Sequence, residues 1–457
     1  MNVYKDETMK EQIIKRMQFD NPWWVSGSIP NDYKSMQHRL YLDTFMPIVA
    51  DVSTRRGVIL MGPRRVGKTV MIFHTIEELI KNGVPAQKII YLSIDTPIYN
   101  NISLEDLLQL ARESLKQSDA PMDGYFVFYD EIQYLKDWEI HLKSLIDSYR
   151  NIKFVASGSA AAALKMKSTE SGAGRFTDFM LPPLTFNEYI HLLDLNNLIV
   201  PTRMIWDGRE INSYDTIDID LLNKHFVDYI NYGGYPEIVL SKKMQDDITQ
   251  YVRHDIVDKV MLRDLPSLYG IKDIQELNRL FVYIVYHTGE EFSYDGLSQE
   301  SGIRKEVLKK VVHKVNDNAK NLQRVTAFKI YLTNPSLRCA LFSPLSASGS
   351  MFGHMVETAI YSQWIQRDTT EIHYASWVEN KKNREVDMVG LDLARQKPNW
   401  AVEIKWSDRY VEQTSELKPL LNFLTKNSLQ SAIVTTISKY TYKQMSEVGL
   451  QYIPAAL

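Results

Sequence analysis

Residues 62–69 read GPRRVGKT, two glycines five positions apart followed by Lys-Thr. The apolar run GVILMG (57–62) leads straight into them, and KTVMIFHTIEELIKNG follows. In that second stretch Val70, Phe73 and Ile76 fall near one helical face, and Gly83 suits a C-cap. The local order is therefore strand, glycine loop, helix, the context that gives G-x-x-x-x-G-K-[ST] a mechanism. Glycine lets backbone N–H groups curl around phosphate, and the helix N-terminus adds partial positive charge. The loop Gly62, Pro63, Arg64, Arg65, Val66, Gly67, Lys68, Thr69 and Val70 is expected to cradle ATP. Lys68 would reach the β- and γ-phosphates, and Thr69 would hold Mg2+.

A phosphate cradle needs a carboxylate site at the end of another strand. YFVFYDEIQYL (125–135) offers five apolar or aromatic residues ending in Asp130-Glu131. Asp130 is expected to bind Mg2+ through water and Glu131 to polarise the attacking water. KIIYLSID (88–95) and IKFVASGS (152–159) read as further apolar strands. Ser103, with Asp106 three residues on, starts a helix between strands. This alternation predicts an α/β fold with a parallel, doubly wound sheet. Ser157 or Ser159 is placed to sense the γ-phosphate or simply to make a turn. Arg175 in GAGRF reads either as a transition-state arginine, in the same or a neighbouring subunit, or as an exposed structural one.

GPRRVGKT (Walker A), YDEIQ (Walker B), ASGS and GRFTDFMLPPLTFNEY, in this order, resemble the predicted AAA-type P-loop ATPases of bacteria and archaea. NPWW (21–24) is similar to that family's N-terminal segment, and by itself reads as two indoles anchoring an N-terminal arm. YINYGGYPEIV (229–239), a tight turn between helices, resembles the family's GG-x-P signature. The resemblance implies a strand order with the acidic strand beside the phosphate-loop strand. It also implies a winged-helix-like module in the middle and a C-terminal region likened to nucleases.

Residues 292–334 read as helix, turn at Gly302, helix and one or two strands, the outline of a winged helix. The second helix carries Arg304, Lys305, Lys309, Lys310 and Lys314 against Glu306, a face suited either to DNA phosphates or to plain solvation. His254 and Asp258, four apart, read as a solvated ion pair rather than a metal site, since no third ligand accompanies them.

Past residue 346 the order is helix, strand, strand pair, helix, strand. Asp387 lies in REVDMVGL, and Glu403 and Lys405 in AVEIKW. Positions two apart on a strand share a face, so Glu403 and Lys405 are neighbours, with Val402 and Ile404 facing the other layer. If the Asp387 strand pairs beside them, two carboxylates and an ammonium converge, a set suited to Mg2+ and phosphate chemistry. Asp387 with Glu-x-Lys resembles the PD-(D/E)xK nuclease superfamily, and Glu357 in GHMVETAIYSQW matches its additional helical acid. No proline precedes Asp387.

Composition sets the outer limits. A chain of 457 residues with net charge −3 is too long for one ordinary core and carries no overall attraction to nucleic acid. Its start is charged throughout, no apolar run nears the ~18 residues of a membrane span, and the single Cys339 permits no internal disulfide. The expectations are thus a cytoplasmic protein without membrane contact, and three domains: residues 1–200 (ATPase with N-terminal arm), 201–345 (helical and winged-helix-like) and 346–457 (nuclease-like). ATP and Mg2+ are the expected cofactors, DNA or protein the partners, and an oligomer is compatible with the sequence. Two functions fit: an ATPase acting on DNA with a nuclease site, or a nucleotide switch whose C-terminal modules bind protein partners and whose nuclease-like site is inactive.

Overall fold

Strand β1 (Gly57–Gly62) is buried along its whole length, as are β3 (Tyr125–Asp130) and β4 (Ile152–Ser159). Continuous apolar runs of this kind belong to parallel sheets covered on both faces. The computed structural model describes the chain except residues 1–2, 117–120, 160–173, 207–208, 260–261, 263–272, 304, 306–307, 309–327, 365–371, 393 and 396. It contains two compact units, Met1–Pro183 and Leu184–Leu457.

In the first unit β2 (Ile89–Ser93) and β5 (Phe176–Met180) complete a five-stranded parallel sheet in the order β2-β3-β4-β1-β5. The acidic strand β3 is therefore not beside the phosphate-loop strand β1. β4 lies between them, pairing Val58 with Val155 on one side and Tyr129 with Ala156 on the other. The local patterns of these strands are interchangeable, so only packing of the connecting helices decides which strand takes the middle. The helix Lys68–Lys81 packs on Asn31–Lys34 and Leu42–Ala50, whereas Leu104–Ser114 packs on Val3–Asp20 and Trp138–Ser148. At the β2 edge the Asn21 amide acts as a strand substitute. Its Nδ2 donates to Tyr91 O at 2.8 Å, and its Oδ1 accepts from Tyr91 N at 2.7 Å. The indoles of Trp23 and Trp24 both donate to Ile89 O, at 3.0 and 2.7 Å. The NPWW segment thus closes an edge that would otherwise expose strand hydrogen-bonding groups.

The second unit holds the segments 201–345 and 346–457 around shared cores. Its main sheet has six strands in the order β10 (Ile372–Glu379), β11 (Lys382–Asp392), β12 (Lys397–Glu403), β13 (Ser431–Thr436), β15 (Val448–Pro454) and β14 (Thr441–Met445). β10, β11 and β12 form an antiparallel meander, and β13 runs parallel to β12. One core joins Phe226 and Tyr229 of helix Ile219–Tyr232 to Phe352 and Val356 of helix Phe352–Trp364, with Met388 and Ile404 of the sheet region. Another joins Val386, Ala401 and Val434 to Leu420 and Leu424 of helix Lys418–Lys426. Helices from both segments thus bury the sheet.

A two-stranded hairpin, β6 (Ile199–Trp206) and β7 (Arg209–Thr216), precedes these elements. A smaller cluster gathers Leu280, Phe292, Leu297, Ile303, Leu308 and Phe328. It is built from helix Ile274–Tyr286, helix Tyr294–Ser301 and a short pair, β8 (Glu291–Phe292) with β9 (Phe328–Lys329). Gly302, at φ 75°, ends the second of those helices as the sequence suggests. Arg304, Glu306, Lys309, Lys310 and Lys314 lie outside the described residues. Lys305 is described, and its ammonium pairs with Asp295 at 2.5 Å. His254 and Asp258 meet at 2.9 Å as an exposed ion pair.

Candidate active sites

The phosphate loop turns on two residues with positive φ, Arg65 at 62° and Gly67 at 96°. Such turns gather backbone N–H groups into an anion-binding concavity. Gly62 is required by contact: a Cβ there would sit 2.3 Å from Leu181 O and 3.2 Å from a Val66 methyl. The ammonium of Lys68, on a residue only 5% exposed, donates to the carbonyls of Gly62 and Pro63 at 3.1 and 3.0 Å. Arg39, absent from the sequence-based set, is buried behind the loop. It donates to Val66 O at 2.5 Å and to Pro182 O at 3.0 Å, which ties Val66 to the chain after β5. No local pattern marks that arginine.

Although β4 separates β3 from the strand that leads into the loop, Thr69, in the first turn of helix Lys68–Lys81, meets Asp130: the threonine hydroxyl donates to Asp130 Oδ2 at 2.8 Å. Tyr91 OH donates to the same oxygen at 2.9 Å, and burial together with the Asp130 charge pushes the phenol's pKa up. Ser157, on the intervening strand, donates to Asp130 Oδ1 and accepts from Glu131 N at 3.0 Å. Its hydroxyl is therefore spent on positioning the acidic pair. Glu131 sits at φ 55°, a left-handed backbone unusual for a side chain of its kind. Its carboxylate accepts from Gln133 Nε2, and Gln133 Oε1 accepts from Ser159 N at 3.2 Å. Gln133 was legible only as the fourth letter of DEIQ. Thr69, Asp130, Ser157 and Glu131 are thus one hydrogen-bonded chain beside the loop.

Arg175 is not brought to that chain. It precedes Phe176, which pairs with Gly57 at the start of β1, whereas the phosphate loop follows the end of β1. Its Nε donates to Asp147 Oδ1 at 2.7 Å. This placement keeps Arg175 away from the phosphate loop of its own chain, because parallel strands put residues 57 and 176 at the opposite end of the sheet from residue 62.

In the second unit, β11 and β12 pair Met388 with Val402, which sets Asp387 next to Glu403 across the strands. Lys405 Nζ reaches Glu403 Oε1 at 2.8 Å and Asp387 Oδ2 at 3.3 Å. The backbone at this point is fixed twice: Ile404 N donates to Asp387 Oδ2 at 2.7 Å, and Lys405 N donates to Thr435 Oγ1 at 2.7 Å. Burial and the neighbouring Asp387 charge raise the Glu403 carboxyl to about 8 despite Lys405. Glu403 Oε2 is buried without a hydrogen-bond partner.

Glu357, from helix Phe352–Trp364, is engaged differently. Lys329 Nζ contacts Glu357 Oε1 at 3.0 Å and Glu385 Oε2 at 3.1 Å, and Tyr331 OH donates to Glu357 Oε1 at 2.5 Å. Tyr331 stacks on Tyr361 at 3.8 Å, whose hydroxyl donates to Asp387 O. Two ammonium groups thus stand among the acids. Among the described residues no group of three His, Cys, Asp or Glu side chains is arranged to hold a metal ion, so Glu357, Asp387 and Glu403 do not form a ready-made ligand trio. Lys329 and Tyr331 were missed because they lie on and just after a two-residue strand and join the site from 28 and 26 positions away.

Residues 54–190 match the AAA domain family, and residues 223–348 match a domain of unknown function, DUF8612. With the loop geometry, the first of these regions has a P-loop NTPase fold and is similar to the AAA domain family. An uncharacterized protein of Haemophilus influenzae is 24% identical over 233 residues, covering 51% of this chain and 52% of that protein. Uncharacterized protein MJ1544 of Methanocaldococcus jannaschii is 28% identical over 222 residues, covering 49% and 44%. The chain thus aligns with about half the length of these curated relatives. Distant likenesses exist to the Aeropyrum pernix ORC1 protein in complex with DNA (10% identity, TM-score 0.31, 70% of this chain and 95% of that chain). A second is to the S. cerevisiae Hsp104-ADP complex (15%, TM-score 0.33, 68% and 40%). Among the described residues no helix is long and apolar enough to cross a membrane.

Proposed function

We propose that this chain binds ATP with Mg2+ and hydrolyses it. The observation that carries the reading is the chain Thr69–Asp130–Ser157–Glu131 beside the Lys68 loop. Bound ATP–Mg2+ supplies the reactive phosphoryl group and neutralises charge on its oxygens. The chain's own groups then divide the work. Loop N–H groups and Lys68 would hold phosphate, the Thr69 hydroxyl would hold the cation, and the Asp130 carboxylate would hold it through water. Glu131, oriented by Gln133, takes a proton from water at its carboxylate. Lys68→Ala is expected to abolish binding or turnover, and Glu131→Gln to bind ATP yet release phosphate slowly. Unchanged hydrolysis in both variants overturns the assignment.

The finer reading is an ATPase acting on DNA, with Asp387, Glu403 and Lys405 as a Mg2+-dependent phosphodiester-cutting site. Supporting it are the convergence of those three residues and the orphaned Glu403 Oε2. Asp387 and Glu403 would hold the cation, with Lys405 beside the phosphate. Its test is cutting of single- and double-stranded DNA with Mg2+ or Mn2+ by wild type, Asp387→Ala and Lys405→Ala. A second reading, a nucleotide switch with protein partners and an inactive C-terminal site, is favoured by the ammonium groups already standing among the acids. Cutting that is absent, or equal in all three proteins, decides for the switch.

A further inference from the structure

At the end of the first-unit sheet opposite the phosphate loop, a shallow cleft of about 20 Å³ opens to solvent. Its lining contains Arg55, Arg56, Arg150 and Lys153 and no aspartate or glutamate. Three of these cations are exposed, but Lys153, at the start of β4, is only 5% exposed. Its ammonium donates to Asp51 O at 2.7 Å. Burial lowers its pKa, and the more distant Asp51 charge offsets this only in part. Arg55 donates to Ile146 O at 3.1 Å and also to Asp147 O, while Arg56 donates to Gly174 O at 3.2 Å. Among the described residues none of the four forms an ion pair. In a chain of net charge −3, four cations around one cleft without a carboxylate among them are a local excess.

We propose that this cleft is a second anion site, built to take a phosphate group. Arginine offers paired donors matched to phosphate oxygens, and a doubly charged phosphate answers the surplus better than a single carboxylate. Lys153, buried, forms the floor, and the exposed Arg56 and Arg150 form the rim. Arg55 lends charge while its donors cap the end of helix Trp138–Ser148. The site is separate from the ATP cradle, because β1 runs between them over roughly 20 Å. The phosphate arrives either as a free small molecule or as part of a nucleic-acid backbone.

The test uses the full chain carrying Lys68→Ala, which takes the ammonium out of the first cradle, and follows binding of inorganic pyrophosphate by calorimetry at low salt. Binding is expected to persist in Lys68→Ala and to weaken about tenfold for each of Arg56→Ala and Arg150→Ala added to it. Lys153→Met should remove it, and the exposed-rim variants keep the test valid if that buried change unfolds the domain. Short single-stranded DNA that displaces pyrophosphate names the backbone as the source. DNA that fails to displace it names the free molecule. No binding, binding indifferent to the rim arginines, or equal binding of an aspartate-rich peptide overturns the proposal.

Discussion

Thr69 and Asp130 are joined by a 2.8 Å hydrogen bond although the strand leading into the Thr69 loop, β1, is not a neighbour of β3. The strand between them, β4, supplies Ser157, which holds the other Asp130 oxygen and the Glu131 N–H. Ser157→Ala removes both contacts without touching the phosphate loop. Turnover is expected to fall by about 10- to 100-fold, the usual loss when a support of metal-binding groups goes, with ATP affinity nearly kept. Phosphate release compared with fluorescent-nucleotide binding separates the two. Normal turnover would reduce Ser157 to a packing residue.

Gly62 answers to sterics rather than to backbone freedom. Alanine there meets the Leu181 carbonyl at 2.3 Å, and that carbonyl belongs to backbone tied to Met61 O through Leu181 N at 2.7 Å. The loop has to shift, and overpacking of this kind costs roughly 1–3 kcal/mol. Gly62→Ala should lower the unfolding free energy of the first unit, read from its urea transition, by that amount and weaken ATP binding. A variant as stable as wild type contradicts the contact.

Much of the first site was legible because its determinants are local. Eight consecutive residues set the loop, and an apolar run ending in Asp130-Glu131 sets the carboxylates. The order of the strands was not legible, since β3 and β4 are both buried apolar runs and nothing in either says which lies against β1. Arg175 looked suitable by residue type alone, yet parallel pairing with Gly57 carries it to the wrong end of the sheet. In the second unit, Glu403 and Lys405 do meet at 2.8 Å, but β12 ends at Glu403, so the pairing comes from the chain just past the strand rather than from alternation along it. Lys329 could not be foreseen, because a lysine in FKIYL carries no sign that it will reach Glu357 and Glu385. Such long-range ion pairs are products of tertiary packing.

The edge closure by Asn21 gives a stability test. Its side chain makes three buried hydrogen bonds, one to Met17 O and two to Tyr91 backbone groups. Asn21→Ala leaves the Tyr91 N–H and carbonyl without that partner, at about 1–3 kcal/mol for each buried group left unsatisfied. A lower melting temperature is expected, together with concentration-dependent aggregation through the opened β2 edge. Light scattering during a thermal ramp reads both, and an unchanged profile would mean that water replaces the amide.

The buried acids of the second unit make stability depend on pH in a direction opposite to ordinary surface carboxylates. Burial and the Asp387 charge raise Glu403 from 4.5 to about 8, and the same two causes, partly offset by Lys329, raise Glu357 to about 7. A carboxyl whose folded pKa lies above its unfolded one binds more protons in the folded state. Its contribution is present below 4.5 and is lost as pH rises to the folded value. The melting temperature of the second unit is therefore expected to decline between pH 5 and pH 8. Glu403→Gln, which keeps the shape and removes the charge, should flatten that decline, and Glu357→Gln should flatten its lower part. A decline of equal slope in wild type and both variants would place the pH dependence elsewhere in the unit.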